Sequence, residues 1–194
     1  LSGADLNLVC ECEGITGFIV GATIKVKKHE KMVPVLAHFS GAEKLSKAIS
    51  EMKNFHLWSV SFQAPEFVRL RQEIKRSRGL PADKYAGMFV LPVDAYEEQR
   101  EHLEKVITEN GGSLSSDALA REEWDDRFYP MRIKRLGPTL IPAEVILPVE
   151  NLRNFLDEVA QKIKVECLAT EGTMAGKDKA AVLLFSLDDE TRID

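Results

Sequence analysis

Several things are scarce in this chain, and each scarcity removes a class of explanation. Cysteine occurs only at Cys10, Cys12 and Cys167. That is an odd number at no framework spacing, which excludes a disulfide-stapled scaffold and fits a reducing compartment. Histidine is limited to His29, His38, His56 and His102, with no two lying two or four residues apart, so no local metal-ligand pair is written into the sequence. Basic residues do not dominate: 26 Lys and Arg stand against 31 Asp and Glu, a net charge of −5. With a pI near 5.5, a general nucleic-acid-binding surface, which must be net basic, is not expected. Long apolar runs are missing too. Near the C-terminus the longest, Ala180 to Phe185, falls far short of the ~20 residues a membrane span requires. No basic stretch followed by an apolar one opens the chain, so secretion is not indicated and a cytoplasmic location is expected.

The chain also lacks an initial Met. It begins at Leu1, and Leu6 to Val26 already reads as sheet sequence with no polar lead-in. The expectation is a piece of a longer protein, with trimming of a tag as the alternative. What is present is ordinary: 194 residues, 44% hydrophobic and 29% charged, enough for one domain with a real core, or one domain plus part of another.

Along the chain, Phe18 to Val26 is rich in β-branched residues and predicts a strand. The charged cluster Lys27 to Lys31 then breaks the pattern. From Val33, strand and helix alternate. Val33 to Phe39 predicts a strand, and Ser40 with Glu43 has capping-box spacing before a helix reaching Met52. His56 to Phe62 alternates as a strand, followed by a helix from Pro65 to Lys75. Ala86 to Val93 is apolar enough to be a central strand, and a helix from Asp94 to Glu109 ends at Asn110-Gly111-Gly112. Gly112 to Ser115 predicts a short strand, Ser116 to Met131 a helix, Leu140 to Leu147 a strand, and Pro148 to Lys162 a helix. Val165 to Ala169 and Ala180 to Leu187 finish as strands joined through Gly172 to Lys179. These units, without a Gly-rich phosphate turn or a fixed-period repeat, predict an α+β fold. Its form is a ferredoxin-like core, single or doubled, with an antiparallel or mixed sheet and helices on one face.

Few residues suggest chemistry. His38 and His56 fall in predicted strands and read first as core or surface residues. Cys10 and Cys12 share a strand face and read as small hydrophobes. Glu97 to Lys105 mixes charges at helical spacing, as a solvated face does. Arg69, Arg71, Lys75, Arg76 and Arg78 read as a solvated helix end, or as a docking surface for a partner. Two places stand out. In Glu11 to Val20, Gly14 and Gly17 lead into an apolar strand, which lets backbone amides approach a ligand, although a tight turn needs the same glycines. In Trp124 to Arg135, Arg127 and Arg132 sit among aromatics, where a guanidinium can hold a carboxylate bidentately. The plainer alternative pairs Arg127 with Asp125 or Glu144 as a salt bridge.

Together these stretches resemble the FAD-linked oxidase and dehydrogenase family of vanillyl-alcohol-oxidase type, which includes D-lactate dehydrogenases and the glycolate oxidase flavin subunit. Glu13, Gly14, Gly17, Ile19 and Ala22 match the family's Gly-Ser-Glu-Gly-Thr-Leu-Gly-Ile-Ile-Thr-Glu-Ala stretch. Trp124 and Arg127 match its Trp-x-x-Arg helix, and Leu147-Pro148 its strand ending in Leu-Pro. The resemblance implies that residues 1–31 are the C-terminal end of a flavin-binding domain and 32–194 a ferredoxin-like substrate cap. It implies FAD in the full-length protein, lined by Glu13, Gly14, Ile15, Thr16, Gly17 and Ile19. A small 2-hydroxy acid (lactate or glycolate type) would be held by Arg127, with Arg132 and Glu144 nearby. The implied partners are the missing N-terminal flavin domain and an electron-transfer partner, with no docking surface assigned to the latter. Three departures accompany it. Pro142 stands where members often carry Lys, the His-x-Gly-Asp-Gly-Asn stretch is absent, with Glu171 to Gly176 holding no His, and no Gly-rich pyrophosphate loop is present. The general base is therefore unassigned. The alternative reading is a stand-alone ferredoxin-like module that binds a small molecule or regulates a partner.

Overall fold

The computed structural model describes residues 15–26, 28–74, 79–128, 130–137, 139–163 and 168–188. Its first half is β1 (Met32–Phe39), α1 (Ala42–Glu51), β2 (Ser59–Gln63), α2 (Pro65–Ile74), β3 (Tyr85–Pro92), α3 (Val93–Glu109) and β4 (Gly112–Leu114). After α4 (Asp117–Asp125) and a 3-10 turn at Pro130–Leu136 come β5 (Thr139–Pro148), α5 (Leu152–Lys162), β6 (Leu168–Met174) and β7 (Lys179–Asp188).

All seven strands form one sheet in the order β4-β1-β3-β2-β6-β7-β5, and every neighbouring pair is antiparallel. The first four follow from ferredoxin-like logic: β1 and β2 are joined through α1 and leave a gap that β3 fills. The last three repeat it, with β7 between β5 and β6. The expected α+β fold is what the chain adopts, and of the antiparallel and mixed alternatives the sheet is antiparallel. Helices, however, occupy both faces. Alternation along the strands sends Phe39, Phe62, Phe89, Leu91 and Val182 against α1, α3 and α5. It sends Leu36, Met88 and Val90 the other way, against Val68 of α2 and Ala120 of α4. Of these second-face helices, α2 links the neighbouring strands β2 and β3, and α4 arises because β4 and β5 lie at opposite edges of the sheet. The chain must cross from one edge to the other, and α4 with the 3-10 turn does so on the second face.

The two halves meet edge to edge where β2 pairs with β6: Ser61 opposite Thr173, Phe62 opposite Gly172, Gln63 opposite Glu171. The ladder is short but reinforced. Ala64 donates its backbone N–H to the Thr170 carbonyl at 2.8 Å, and Thr173 Oγ1 donates to the Val60 carbonyl at 3.0 Å. The buried Phe62 ring covers Gly172 so closely that a Cβ there would lie 2.6 Å from Phe62 Cε1 and 2.9 Å from the Ala181 carbonyl oxygen. On the same face, Arg153 of α5 reaches Glu43 of α1 at 3.1 Å. That pair is exposed and adds little.

Four local expectations change. Residues 15–26 form no strand, and Phe18, Val20 and Val26 are exposed, because no strand of the described sheet pairs with them and an unpaired strand has no ladder to hold it. The Ser40–Glu43 capping box does not form. Gly41 takes the extended cap position, Ser40 Oγ accepts from Lys44 Nζ, and Glu43 turns to Arg153. The helix expected over Ser116 to Met131 stops at Asp125. There the Arg127 side chain folds back on the Trp124 carbonyl at 2.7 Å, which the Arg127 backbone N–H also reaches at 3.3 Å, closing the helix end. The final hairpin is tighter than expected, since β6 runs on through Gly172 to Met174 under Phe62.

The seam yields a direct test. Gly172→Ala drives a methyl into the Phe62 ring and a backbone carbonyl, so urea unfolding should show a loss of about 2 kcal/mol. An unchanged midpoint would mean that the Phe62–Gly172 contact does not join the halves.

Candidate functional site

The crossing of α4 over the second face does not fill all the space beneath the sheet. A cavity of about 530 Å³ remains, within the range of small-molecule sites. Its floor is the β2–β6 seam, presenting Ser59, Ser61, Gln63, Glu171 and Thr173. Leu36, Ala86, Met88, Leu80 and Leu183 make it apolar between polar ends. Trp58, Trp124, Arg127 and Phe128 line it as well, and the exposure of Trp58, Arg127 and Phe128 places them on its open side.

The inner wall carries the charge. Arg71 of α2 is largely buried and sends Nη1 to Glu123 Oε2 of α4 at 2.7 Å and to Gln63 Oε1 at 2.9 Å. A buried pair of this kind gains little net stability, because desolvation offsets the Coulomb attraction, but removing one partner strands the other charge. Its structural effect is to tie α2, α4 and β2 together across the cavity. Glu171 stands opposite Gln63 on the same side of the sheet. Burial pushes its carboxyl from the ordinary 4.5 up to about 7, and the Arg71 guanidinium offsets this only in part.

Of the residues the sequence pointed to, Arg127 reaches the cavity. Its guanidinium lies 3.8 Å from the Trp124 ring centroid and 4.2 Å from that of Phe128, a cation–π stack that holds the group flat. Arg132, half-buried in the 3-10 turn, and Glu144, exposed on the edge strand β5, are not among the lining residues. Ile15, Thr16, Gly17 and Ile19 lie in the segment before β1 and do not line it either. Gly17 has φ +153, a conformation that favours glycine for backbone reasons alone. Glu13 and Gly14, like Cys10, Cys12 and Cys167, fall outside the described residues.

The Arg69–Arg78 run divides. Arg69 pairs with Glu66 on its own helix at 3.8 Å, Arg71 points inward, and Lys75, Arg76 and Arg78 are outside the described residues. His56 is exposed. His38 is buried, with Nε2 2.5 Å from Ser115 Oγ. Burial, then the nearby Lys84 charge, lowers its pKa. Among the described residues no three His, Cys, Asp or Glu side chains converge on a metal-sized point. No helix there is long and apolar enough to cross a membrane.

Sequence reasoning missed Arg71, Glu123 and Glu171 as site residues. Arg71 was hidden in a basic run, Glu123 in an acidic helix, and Glu171 in what looked like a turn. The one available signal was strand parity, which puts Gln63 on the face opposite the apolar Phe62.

No protein-family model matches the chain, and no curated protein matches it. Among solved structures, alkyldihydroxyacetonephosphate synthase is similar in two crystal forms. In P1 the TM-score is 0.58 at 10% identity, covering 81% of this chain and 36% of that one. In P212121 the TM-score is 0.57 at 10% identity, covering 84% and 36%. The chain thus spans about a third of the length of the synthase structures it matches. At this identity the likeness is one of fold.

Glu171 makes stability depend on pH in a defined direction. Below about 4.5 the carboxyl is protonated in both folded and unfolded chains, and its contribution is fully present. Between 4.5 and 7 the unfolded chain ionises first, so stability falls as pH rises, then levels off. Relative to Glu171→Gln, wild type should lose roughly 2 kcal/mol between pH 4.5 and pH 8, measured by urea unfolding at both pH values. A constant difference would place Glu171 in solvent.

Proposed function

We propose that this chain is the substrate-cap portion of a larger FAD-linked enzyme that oxidises a 2-hydroxy acid of the lactate or glycolate type, the cap comprising residues 32–194. The observation that carries the proposal is Arg127, whose guanidinium lies against both the Trp124 and Phe128 rings on the open side of a cavity lined by apolar and hydrogen-bonding groups. A fixed guanidinium beside a partly apolar space can pair with a ligand carboxylate while the rest of the ligand goes inward. The fold likeness supports the FAD-linked oxidase family at a coarse level. The 2-hydroxy acid rests on the match of Trp124 and Arg127 to the Trp-x-x-Arg pattern.

The described part of the flavin stretch, Ile15 to Ile19, is exposed and unenclosed. In this reading the stretch would supply one wall of a flavin site, with FAD held mainly by protein beyond these residues. When bound, a flavin supplies a hydride acceptor. The cap's own residues orient the acid, neutralise its carboxylate and limit water around it. A second reading keeps its place because the cavity is complete within this chain: a binding module would need nothing more.

The test uses the complete gene product. If the proposal is right, the protein purifies with bound flavin and a 2-hydroxy acid bleaches it. Arg127→Ala should keep the flavin and lose roughly a hundredfold in kcat/KM. Unchanged turnover in that variant would reduce Arg127 to a helix-end cap, and a colourless full-length protein would favour the binding module.

A further inference from the structure

The floor of the cavity holds a carboxyl group whose role the proposed function leaves open. Glu171 lines the cavity and faces the same side as Gln63, directly opposite on β2. Gln63 has its oxygen committed to Arg71, and Arg71 Nη1 is shared between Gln63 and Glu123. The Glu171 carboxyl makes no side-chain hydrogen bond among the described residues, its backbone being paired in the β6 ladders. The side chains around it come from every packed element: Arg71 from α2, Glu123 from α4, Asp126 and Arg127 just beyond α4, the uncharged Ser61 and Gln63 from β2, and Leu183 from β7. Of these, Glu171 is the carboxyl placed on the floor with its hydrogen-bonding capacity unspent.

We propose that Glu171 reads the oxidation level of the ligand's 2-oxygen, hydrogen-bonding to a hydroxyl in the 2-hydroxy acid and to a carbonyl in the 2-oxo acid. This rests on the 2-hydroxy acid reading above. The chemistry is that of donor and acceptor counts. A neutral carboxyl can donate or accept, whereas a carboxylate only accepts. A hydroxyl can donate or accept, whereas a ketone oxygen only accepts. The carboxylate form of Glu171 therefore keeps a hydrogen bond to the hydroxy acid and has none to offer the oxo acid. Burial brings the changeover near neutral pH, so the preference between the two ligands shifts across the ordinary working range.

The experiment uses the 194-residue chain with 2-hydroxyhexanoate and 2-oxohexanoate as probes. Both tryptophans of the chain, Trp58 and Trp124, line the cavity, so intrinsic fluorescence reports occupancy directly. Each probe carries the same carboxylate and meets the same surrounding charges, so those effects cancel in the ratio of dissociation constants. From pH 6 to pH 8 the oxo-to-hydroxy ratio of Kd should rise about tenfold in wild type. It should stay flat in Glu171→Gln, whose amide donates and accepts at every pH. In wild type, NMR of the Glu171 carboxyl carbon should show a higher titration midpoint with the oxo probe than with the hydroxy probe, by reciprocity. Binding of both probes with a flat ratio, an equal rise in Glu171→Gln, or the reverse order of midpoints would overturn the assignment of Glu171 alone. Failure of both probes to bind wild type at millimolar concentration would overturn the 2-hydroxy acid reading, and this inference with it.

Discussion

The contact on which the rest of the molecule depends is Phe62 lying over Gly172. Each half of the sheet, built alone, would end in a bare strand edge, β2 on one side and β6 on the other, and bare edges pair with whatever is available. Their junction is a ladder of only three residue pairs, so backbone hydrogen bonding is a weak specifier of register. The aromatic ring supplies what the ladder lacks. Phe62 is fully buried, and burying such a side chain is worth roughly 2–3 kcal/mol. The register in which it meets a residue without a Cβ is the one that also sets Gln63 against Glu171. One close packing contact on the helix-covered face thus positions the polar pair on the other.

From that seam the cavity follows by topology. The first half ends at one edge of the sheet and the second begins at the opposite edge, so the connection must traverse a face. α1, α3 and α5 already cover one side, which leaves the other. α4 packs on β1 and α2 on β3 and β6, with Arg71 and Glu123 bridging the two helices over the seam. The walls are held apart by charged side chains that cannot collapse into an apolar core without losing their partners. The space persists because Arg71 and its partners Glu123 and Gln63, set amid an apolar lining, can neither be packed shut nor swing out to water.

Much of the architecture was legible in the sequence. The strand-helix alternation from Val33 located β1, a continuous apolar run located β3, and Pro148 foretold the turn into α5. Legibility failed where tertiary contacts override local rules. Residues 18–26 have every mark of a strand, yet strand propensity has no effect without a partner to pair with. Gly172 reads as a turn residue, and only the ring opposite it explains a glycine inside a strand. The site was legible in part. Arg127 could be singled out because its aromatic neighbours, Trp124 and Phe128, are close in sequence. Arg71 and Glu123 are 52 residues apart, and nothing local in either helix announces the other. Glu171 gains its altered acidity from burial, which belongs to the fold and not to the sequence around it.

The central claim is that the floor of the ligand site and the seam between the two half-sheets are the same place. Amide hydrogen exchange of the 194-residue chain, with and without 2-oxohexanoate at pH 6, tests this directly. Ligand in the cavity should slow exchange at residues 61–63, 171–173 and 124–128, and leave α1 and α5 on the far face unchanged. Slowing confined to the α1–α5 face, or absent from both seam strands while the ligand is bound, would contradict it.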